Sequence, residues 1–303
     1  MLFPERLKEG DRVGIVAIAD RVSYEKIEAG LDLLRSWGLT PVVGRTVGLQ
    51  HHQMAGTDQQ RAQDLQAQLD DPSIRAIFMA RGGYGTVRIV DRLDFTEFKK
   101  HPKWIVGYSD ITALHAHLQS LGYASIHAEM PAFITEKAPA AATSLKAALF
   151  AEPLQYKWPP NVLNSTGTAS GELIGGNMSI LYSLCGSRTA PSPAGKLLFM
   201  EDVGEYLYHV DRMMQNFKRN GWFEQLSGLI LGGFSKMKDN KIPFGQTALE
   251  IIKAVGEAYD FPIAFDFPAG HCHDNRSLIL GAKATLEVSL GGGELTYQGS
   301  QFG

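Results

Sequence analysis

The sequence predicts an α/β protein, with a doubly wound parallel sheet in its N-terminal half and a second, mixed α+β domain after it. Three observations carry this. Short apolar runs of strand length alternate with amphipathic helical patterns as far as His127, as in a parallel sheet covered on both faces. Two of these runs end in corners, Arg81-Gly82-Gly83-Tyr84-Gly85 and Gly107-Tyr108-Ser109-Asp110-Ile111-Thr112. Each corner opens a helical pattern at the carboxyl edge of the sheet, where open α/β sheets bind ligands. Beyond Thr168 the chain changes to short strands that end in a glycine-joined hairpin.

In order, Val13 to Ala19 reads as the first strand. Ser23 caps a helix whose Ile27, Leu31, Leu34 and Trp37 recur at helical spacing, and Gly38 stops it. Thr40 to Val43 is the next strand. Thr57 and Gln60 make a capping box before Leu65 and Leu69, and Asp71-Pro72 closes that helix. Ala76 to Ala80 and Trp104 to Val106 are further strands. The helix after Ser109 carries Leu114, Leu118 and Leu121 on one side and ends at Gly122, and Ala124 to His127 is the last strand of this half. Residues 1–135 are therefore expected to form an N-terminal α/β domain. Residues 136–167, rich in alanine, proline and polar side chains, are expected to be a linker, and 168–303 a C-terminal domain. In that domain strands are expected at Ala169–Ile174, Lys196–Met200, Leu229–Leu231, Ile263–Phe265, Ala284–Leu290 and Glu294–Gln298. Helices are expected at Met178–Leu184, Val210–Phe217 and Thr247–Tyr259, and Gly291-Gly292-Gly293 joins the final hairpin.

Composition narrows the function classes. The 303 residues are 44% hydrophobic and 20% charged with a net charge of −3, which gives neither nucleic acid nor an anionic membrane a basic surface to bind. Two cysteines imply no disulfide framework. The N-terminus carries charges where a signal peptide needs an apolar run, so a cytoplasmic protein is expected.

The second corner places a serine at the start of a helix, where backbone N–H groups and the positive dipole end can stabilise an oxyanion. Serine becomes a nucleophile only if an oriented base takes its proton. Two loops in the second half can supply that base, Glu201-Asp202-Val203-Gly204-Glu205 and Gly270-His271-Cys272-His273-Asp274-Asn275. Ser109, Glu201 and His271 form the candidate set. The residues alone leave rivals open: Ser109 as a helix cap, Glu205 or a solvated acidic turn in place of Glu201, and His273 in place of His271. The Gly82–Gly85 loop could donate N–H groups to an oxyanion, cradle a phosphate or simply form a tight turn. Arg81 could clamp a terminal carboxylate or make a structural ion pair. Asp110 is assigned a backbone role only. His51-His52, His115 with His117, and His271-Cys272-His273-Asp274 are rich in ligand atoms, but no metal-site spacing is present. No metal and no cofactor is expected.

The motifs Ala80-Arg81-Gly82-Gly83-Tyr84-Gly85, Gly107 to Thr112, Gly175-Gly176-Asn177-Met178-Ser179, Glu201 to Glu205 and Gly270-His271 with Asn275 together resemble the LD-carboxypeptidase family of serine peptidases. That family includes muramoyltetrapeptide carboxypeptidases and microcin C self-immunity proteins. Ala55-Gly56-Thr57-Asp58 with Arg61, and Leu278 to Ala282, extend the resemblance over nearly the whole chain in the family's order. The resemblance implies Ser109 as nucleophile, His271 as base and Glu201 as its partner. It also implies a flavodoxin-like N-terminal domain, a smaller C-terminal domain and a homodimer. The expected oxyanion donors are the N–H groups of Gly83 and Asp110, with Arg81, Tyr84 and Asn177 binding substrate. The implied substrate is a small peptide, murein tetrapeptide, cut between meso-diaminopimelate and terminal D-alanine in cell-wall recycling. One departure stands out: Ala128-Glu129-Met130-Pro131 follows His127 where the family often has Gly-Pro, which bears on substrate preference. The alternatives are a microcin-immunity-type peptidase acting on a peptidyl or aminoacyl nucleotide, with Trp158, Trp222 or Tyr208 as base platform, and a non-catalytic module that binds a nucleotide or muropeptide.

Overall fold

Capping chemistry starts the early helices. In the computed structural model, which describes residues 1–298, the first strand is β1 (Arg12–Val16). The Ser23 hydroxyl then accepts from the Lys26 amide and begins α1 (Tyr24–Ser36). After β2 (Thr40–Val43), Thr57 and Gln60 bond reciprocally at the head of α2 (Asp58–Asp70). The strands β3 (Ile74–Met79), β4 (Trp104–Gly107) and β5 (Ser125–His127) follow, with the short α3 (Thr96–Lys100) before β4 and α4 (Thr112–Ser120) before β5.

These elements belong to the first of two units, Met1–Pro153, to which the chain returns at His273–Ile279. Its sheet runs in the order β2-β1-β3-β4-β5, these five strands all parallel, with Leu278–Leu280 outside β5. The order reverses at β1, so the loops leaving β1 and β3 diverge and open a crevice at their carboxyl ends. Beneath it, Val16, Ile77, Met79, Ile105, Ile111, Leu114 and Leu118 share one buried cluster. Full burial of such side chains is worth roughly 1.5–3 kcal/mol each. Within 136–167 the chain forms α5 (Pro139–Phe150), with Pro139 in its first turn and Leu145, Ala148 and Leu149 buried, and then β6 (Gln155–Trp158). Alanine favours helix, so a run whose composition suggests a spacer makes a helix once one side is covered.

The second unit comprises Leu154–Cys272 and residues 280–298. It contains β6, β7 (Gly167–Asn177), β8 (Lys196–Val203), β9 (Gly228–Ser235), β10 (Ile263–Ala264), β12 (Lys283–Ser289) and β13 (Gly292–Tyr297), Leu278–Leu280 counting as β11. The helices α6 (Met178–Leu184), α7 (Leu207–Arg219) and α8 (Ala248–Gly256) lie between them in sequence. The sheet order is β10-β9-β8-β7-β12-β13-β6, parallel from β10 to β7 and antiparallel from β7 to β6. The final hairpin corrects one expectation. Ser289 pairs with Gly292 and Val288 with Gly293, so two of the three glycines are strand residues. The reason is Trp158: a Cβ on Gly293 would collide with its indole and one on Gly292 with its carbonyl.

Candidate active site

In the first unit, β4 ends at Gly107, Tyr108 is extended, and Ser109 takes φ 65° before a 3₁₀ turn over Ser109–Ile111 leads into α4. A left-handed serine costs on the order of 1–3 kcal/mol, a strain that tends to be retained where function needs it. Tyr108 and Ile111, not Ser109, hold the cap positions, and neither makes a side-chain cap bond.

Two buried polar side chains brace this turn, and a third braces the glycine loop beside it. His115 is fully buried, with Nε2 2.8 Å from the Gly107 carbonyl and Nδ1 2.8 Å from the Ser125 hydroxyl. A carbonyl only accepts, so Nε2 carries the hydrogen and Nδ1 accepts from Ser125. Burial holds the ring neutral, its pKa lowered to about 4. Asp110 is buried as well, its Oδ2 accepting from the Thr86 amide at 2.8 Å, and burial pushes its pKa up. Its carboxyl group thus ties the glycine loop to the serine turn, which goes beyond the backbone role that the sequence assigned to it. Arg61, also buried, donates to the carbonyls of Ile18 and Gly85.

The glycine loop lies against the serine. A Cβ on Gly82 would stand 3.2 Å from Ser109 Cβ and 3.4 Å from Met130 Cε, and one on Gly83 would run into Asp20. Met130 thus places the Ala128–Met130 departure beside this loop. Its neighbour Glu129 is buried, accepting from the Met130 amide and from Asn275 Nδ2 at 2.9 Å, with Lys137 Nζ 3.3 Å away. Arg81 sits 3.7 Å from Asp20 and, with Arg21 and Lys26, lines a cavity of about 250 Å³. Tyr84 is exposed, its amide donating to Asp20.

In the second unit, the ladder sets Asn177 at the end of β7 opposite Glu201 on β8. The bridge from Gly233 to Gly270 brings the histidine loop beside β9. Glu201 Oε2 accepts from both the backbone amide of His271, at 3.0 Å, and its Nδ1, at 2.6 Å. Glu201 is fully buried and the His271 side chain 20% exposed. A Cβ on Gly270 would fall 2.5 Å from Glu201 Cγ, so only glycine lets the histidine loop approach β8 this closely. Of the rival residues, His273 is exposed and Glu205 bonds His209 Nδ1 at 2.6 Å.

Asn177, expected to bind substrate, is instead buried behind the carboxylate. Its Nδ2 donates to Glu201 Oε1 at 3.3 Å and to Asp202 Oδ1 at 3.0 Å, and its Oδ1 caps α6. Asp202 also accepts from the Ser179 and Val203 amides. Burial, and then the Glu201 charge, raise its pKa to about 7. Among the proposed base platforms, Trp158 and Trp222 are buried and Tyr208 is exposed. Among the described residues, no cluster of three or more His, Cys, Asp or Glu is arranged to hold a metal. No helix there is long and apolar enough to cross a membrane.

Comparison with known proteins identifies the lineage. Residues 13–128 match the profile of the LD-carboxypeptidase N-terminal domain, and residues 170–286 that of the LD-carboxypeptidase C-terminal domain. The chain belongs to the LD-carboxypeptidase family. Within that family it is 32% identical to a Bacillus subtilis protein named "Probable murein peptide carboxypeptidase", over 94% of this chain and 92% of the relative. It is 28% identical to the murein tetrapeptide carboxypeptidase of Pseudomonas aeruginosa, over 91% and 93%. It is 26% identical to the microcin C7 self-immunity protein MccF of Escherichia coli, over 94% and 93%. The crystal structure of muramoyltetrapeptide carboxypeptidase from Oxalobacter formigenes superposes with a TM-score of 0.87 at 24% identity, covering 95% of this chain and 99% of that one. The LD-carboxypeptidase fold therefore extends over essentially the whole chain.

Proposed function

We propose that the chain is a serine-type LD-carboxypeptidase that releases terminal D-alanine from murein tetrapeptide by way of an acyl-enzyme. The observation that carries the reading is the 2.6 Å bond between His271 Nδ1 and the buried Glu201. With Nδ1–H committed to the carboxylate, the lone pair of Nε2 is left as the base. His271 takes the Ser109 proton as Oγ bonds to the peptide carbonyl carbon, and the amide N–H groups of Gly83 and Asp110 hold the oxyanion. Glu201 stabilises the imidazolium, which then protonates the leaving D-alanine amine as the C–N bond breaks. Water, deprotonated by the same histidine, releases the acyl group and regenerates Ser109.

The relatives named for murein peptides support this substrate, and the strained Ser109 supports the nucleophile. The order β2-β1-β3-β4-β5 supports a flavodoxin-like first domain, and the reading is of a cytoplasmic homodimer. The relation to MccF favours a second substrate class, an aminoacyl or peptidyl nucleotide. The test is mass spectrometry of two incubations, L-Ala-γ-D-Glu-meso-diaminopimelate-D-Ala and an aminoacyl adenylate analogue with a cleavable amide. Release of D-alanine, with the nucleotide analogue intact, is the expected result. Cleavage of the analogue alone would overturn the substrate, and no cleavage of either by folded protein would overturn the enzymatic reading.

A further inference from the structure

A cavity of about 830 Å³ lies entirely within the first unit and beside the glycine loop. Its walls include His51, His52, Asp58, Tyr84, Arg88 and Arg92. One wall is a tight turn in which the backbone of His51 and Met54 exchange bonds of 2.9 and 3.0 Å. That turn is fastened to the loop after β1 by Ala55 N to Ala19 O and Arg21 N to Gln53 O. His52, at its tip, has φ 55°, and the two imidazoles stand 5.0 Å apart, edge to face. The opposite wall is formed by the 3₁₀ turns that carry Arg88 and Arg92.

Charge sets what this cavity can hold. Among the described residues lining it, Asp58 is the one carboxylate, against two guanidiniums. Asp58 accepts from Arg88 Nε and Nη2 at 2.8–3.1 Å, lies 3.9 Å from Arg92, and also pairs with the buried Arg61. One negative charge shared among three arginines leaves the cluster net positive before either histidine is counted. The Arg88 and Arg92 side chains remain about half exposed, at 50% and 55%. Asp58 fixes the Arg88 fork in place, so an incoming anion would order little that is not already ordered. Tyr84 joins this cavity to the chemistry. It lies two residues along the same loop from Gly82, which abuts Ser109.

We propose that this cavity is a subsite for the carboxylates of an acidic peptide, with Arg92 and the outer face of Arg88 as charge partners and Tyr84 and the two histidines as hydrogen-bonding walls. This rests on the reading of the chain as a carboxypeptidase of murein peptides. The chemistry it recognises is a compact anion, for which a nucleotide phosphate is the other source. The test compares the tetrapeptide with its counterpart amidated at the D-Glu α-carboxyl and the free diaminopimelate carboxyl, using wild type, Arg92→Gln and Arg88→Gln. Arg92 is the informative position, because its distance from Asp58 leaves that ion pair intact when it is replaced. Amidation is expected to raise the wild-type KM roughly 10-fold, the loss of one charge-assisted contact. Arg92→Gln should raise the KM of the acidic peptide by a similar factor, leave that of the amidated peptide within about twofold, and place the loss in KM rather than kcat. Equal KM values for both peptides in wild type and variant would overturn the subsite while leaving the carboxypeptidase reading intact. If neither peptide is cleaved, calorimetric titration of the Ser109→Ala protein with the acidic peptide and with adenosine monophosphate decides the matter separately. Peptide binding lost in Arg92→Gln supports the subsite, and binding of the nucleotide alone, or of neither, overturns it.

Discussion

The serine turn and the histidine loop meet the same demand, a side chain held in one geometry, by opposite means. At Ser109 the backbone is bent into a left-handed conformation, and the groups that hold it are buried polar side chains bonded to backbone, His115 to Gly107 and Asp110 to Thr86. At His271 the ring is held by a side chain, the buried Glu201, which takes both the ring and the backbone N–H. Strain needs a brace on every side, whereas a carboxylate needs only one close approach. The two regions should therefore fail differently when each is disturbed.

The largest difference is expected at Glu201. Glu201→Gln keeps the shape but removes the charge and upsets the tautomer of His271, so kcat should fall by about 10⁴. An initial-rate assay checks this, with circular dichroism confirming the fold. Next come the two glycines. Gly270→Ala puts a methyl group 2.5 Å from Glu201 Cγ at a φ of 96°, and should lower kcat by roughly 10² by displacing the base. Gly82→Ala meets Ser109 at 3.2 Å, a contact that a few tenths of an ångström relieves, and should lower kcat by about 10-fold. Equal losses for both would erase the distinction between the two regions.

The smallest effects are on stability, and they run in opposite directions with pH. His115 stays neutral down to about pH 4 when folded, but protonates near 6.5 in the unfolded chain. The unfolded state binds the extra proton between these values, so His115 erodes stability as pH falls from about 6.5 to 4. Asp202 keeps its proton up to about pH 7 when folded, whereas the unfolded chain loses it near 4. It therefore erodes stability as pH rises from about 4 to about 7. His115→Phe leaves the Ser125 hydroxyl unpaired and takes one of two donors from Gly107 O, which keeps the Ala128 amide, and this costs about 1–3 kcal/mol at neutral pH. Its Tm deficit should shrink as pH falls from about 6.5 to 4. The deficit of Asp202→Asn should instead shrink as pH rises from about 4 to 7. Thermal melts of the three proteins at several pH values check both signs.

The residues proposed to react were legible because their signals are local. A glycine corner, an acidic strand end and a glycine–histidine pair each lie within a few residues of sequence. Their supports were not legible, because each bonds a backbone atom that only the fold brings near. Arg61 reaches Ile18 and Gly85, 43 and 24 residues away, and Asp110 reaches Thr86, 24 residues away. Asn177 carried the right motif but a different place: parallel register with Glu201 buries it behind the carboxylate. In the fold, α1 and α2 could be read from their caps and spacing. The run Leu278–Leu280 could not be assigned to the first sheet, since three apolar residues look the same in either.

The central claim is that Ser109 is the nucleophile that the strained turn presents to the substrate. The measurement that tests it most directly is kcat for D-alanine release by Ser109→Ala beside wild type, with thermal melts of both. A fall of roughly 10³–10⁶-fold with the melting temperature unchanged or raised, as strain at φ 65° is not increased by the smaller side chain, is the predicted result. Retention of activity within about 10-fold in the folded variant would contradict it.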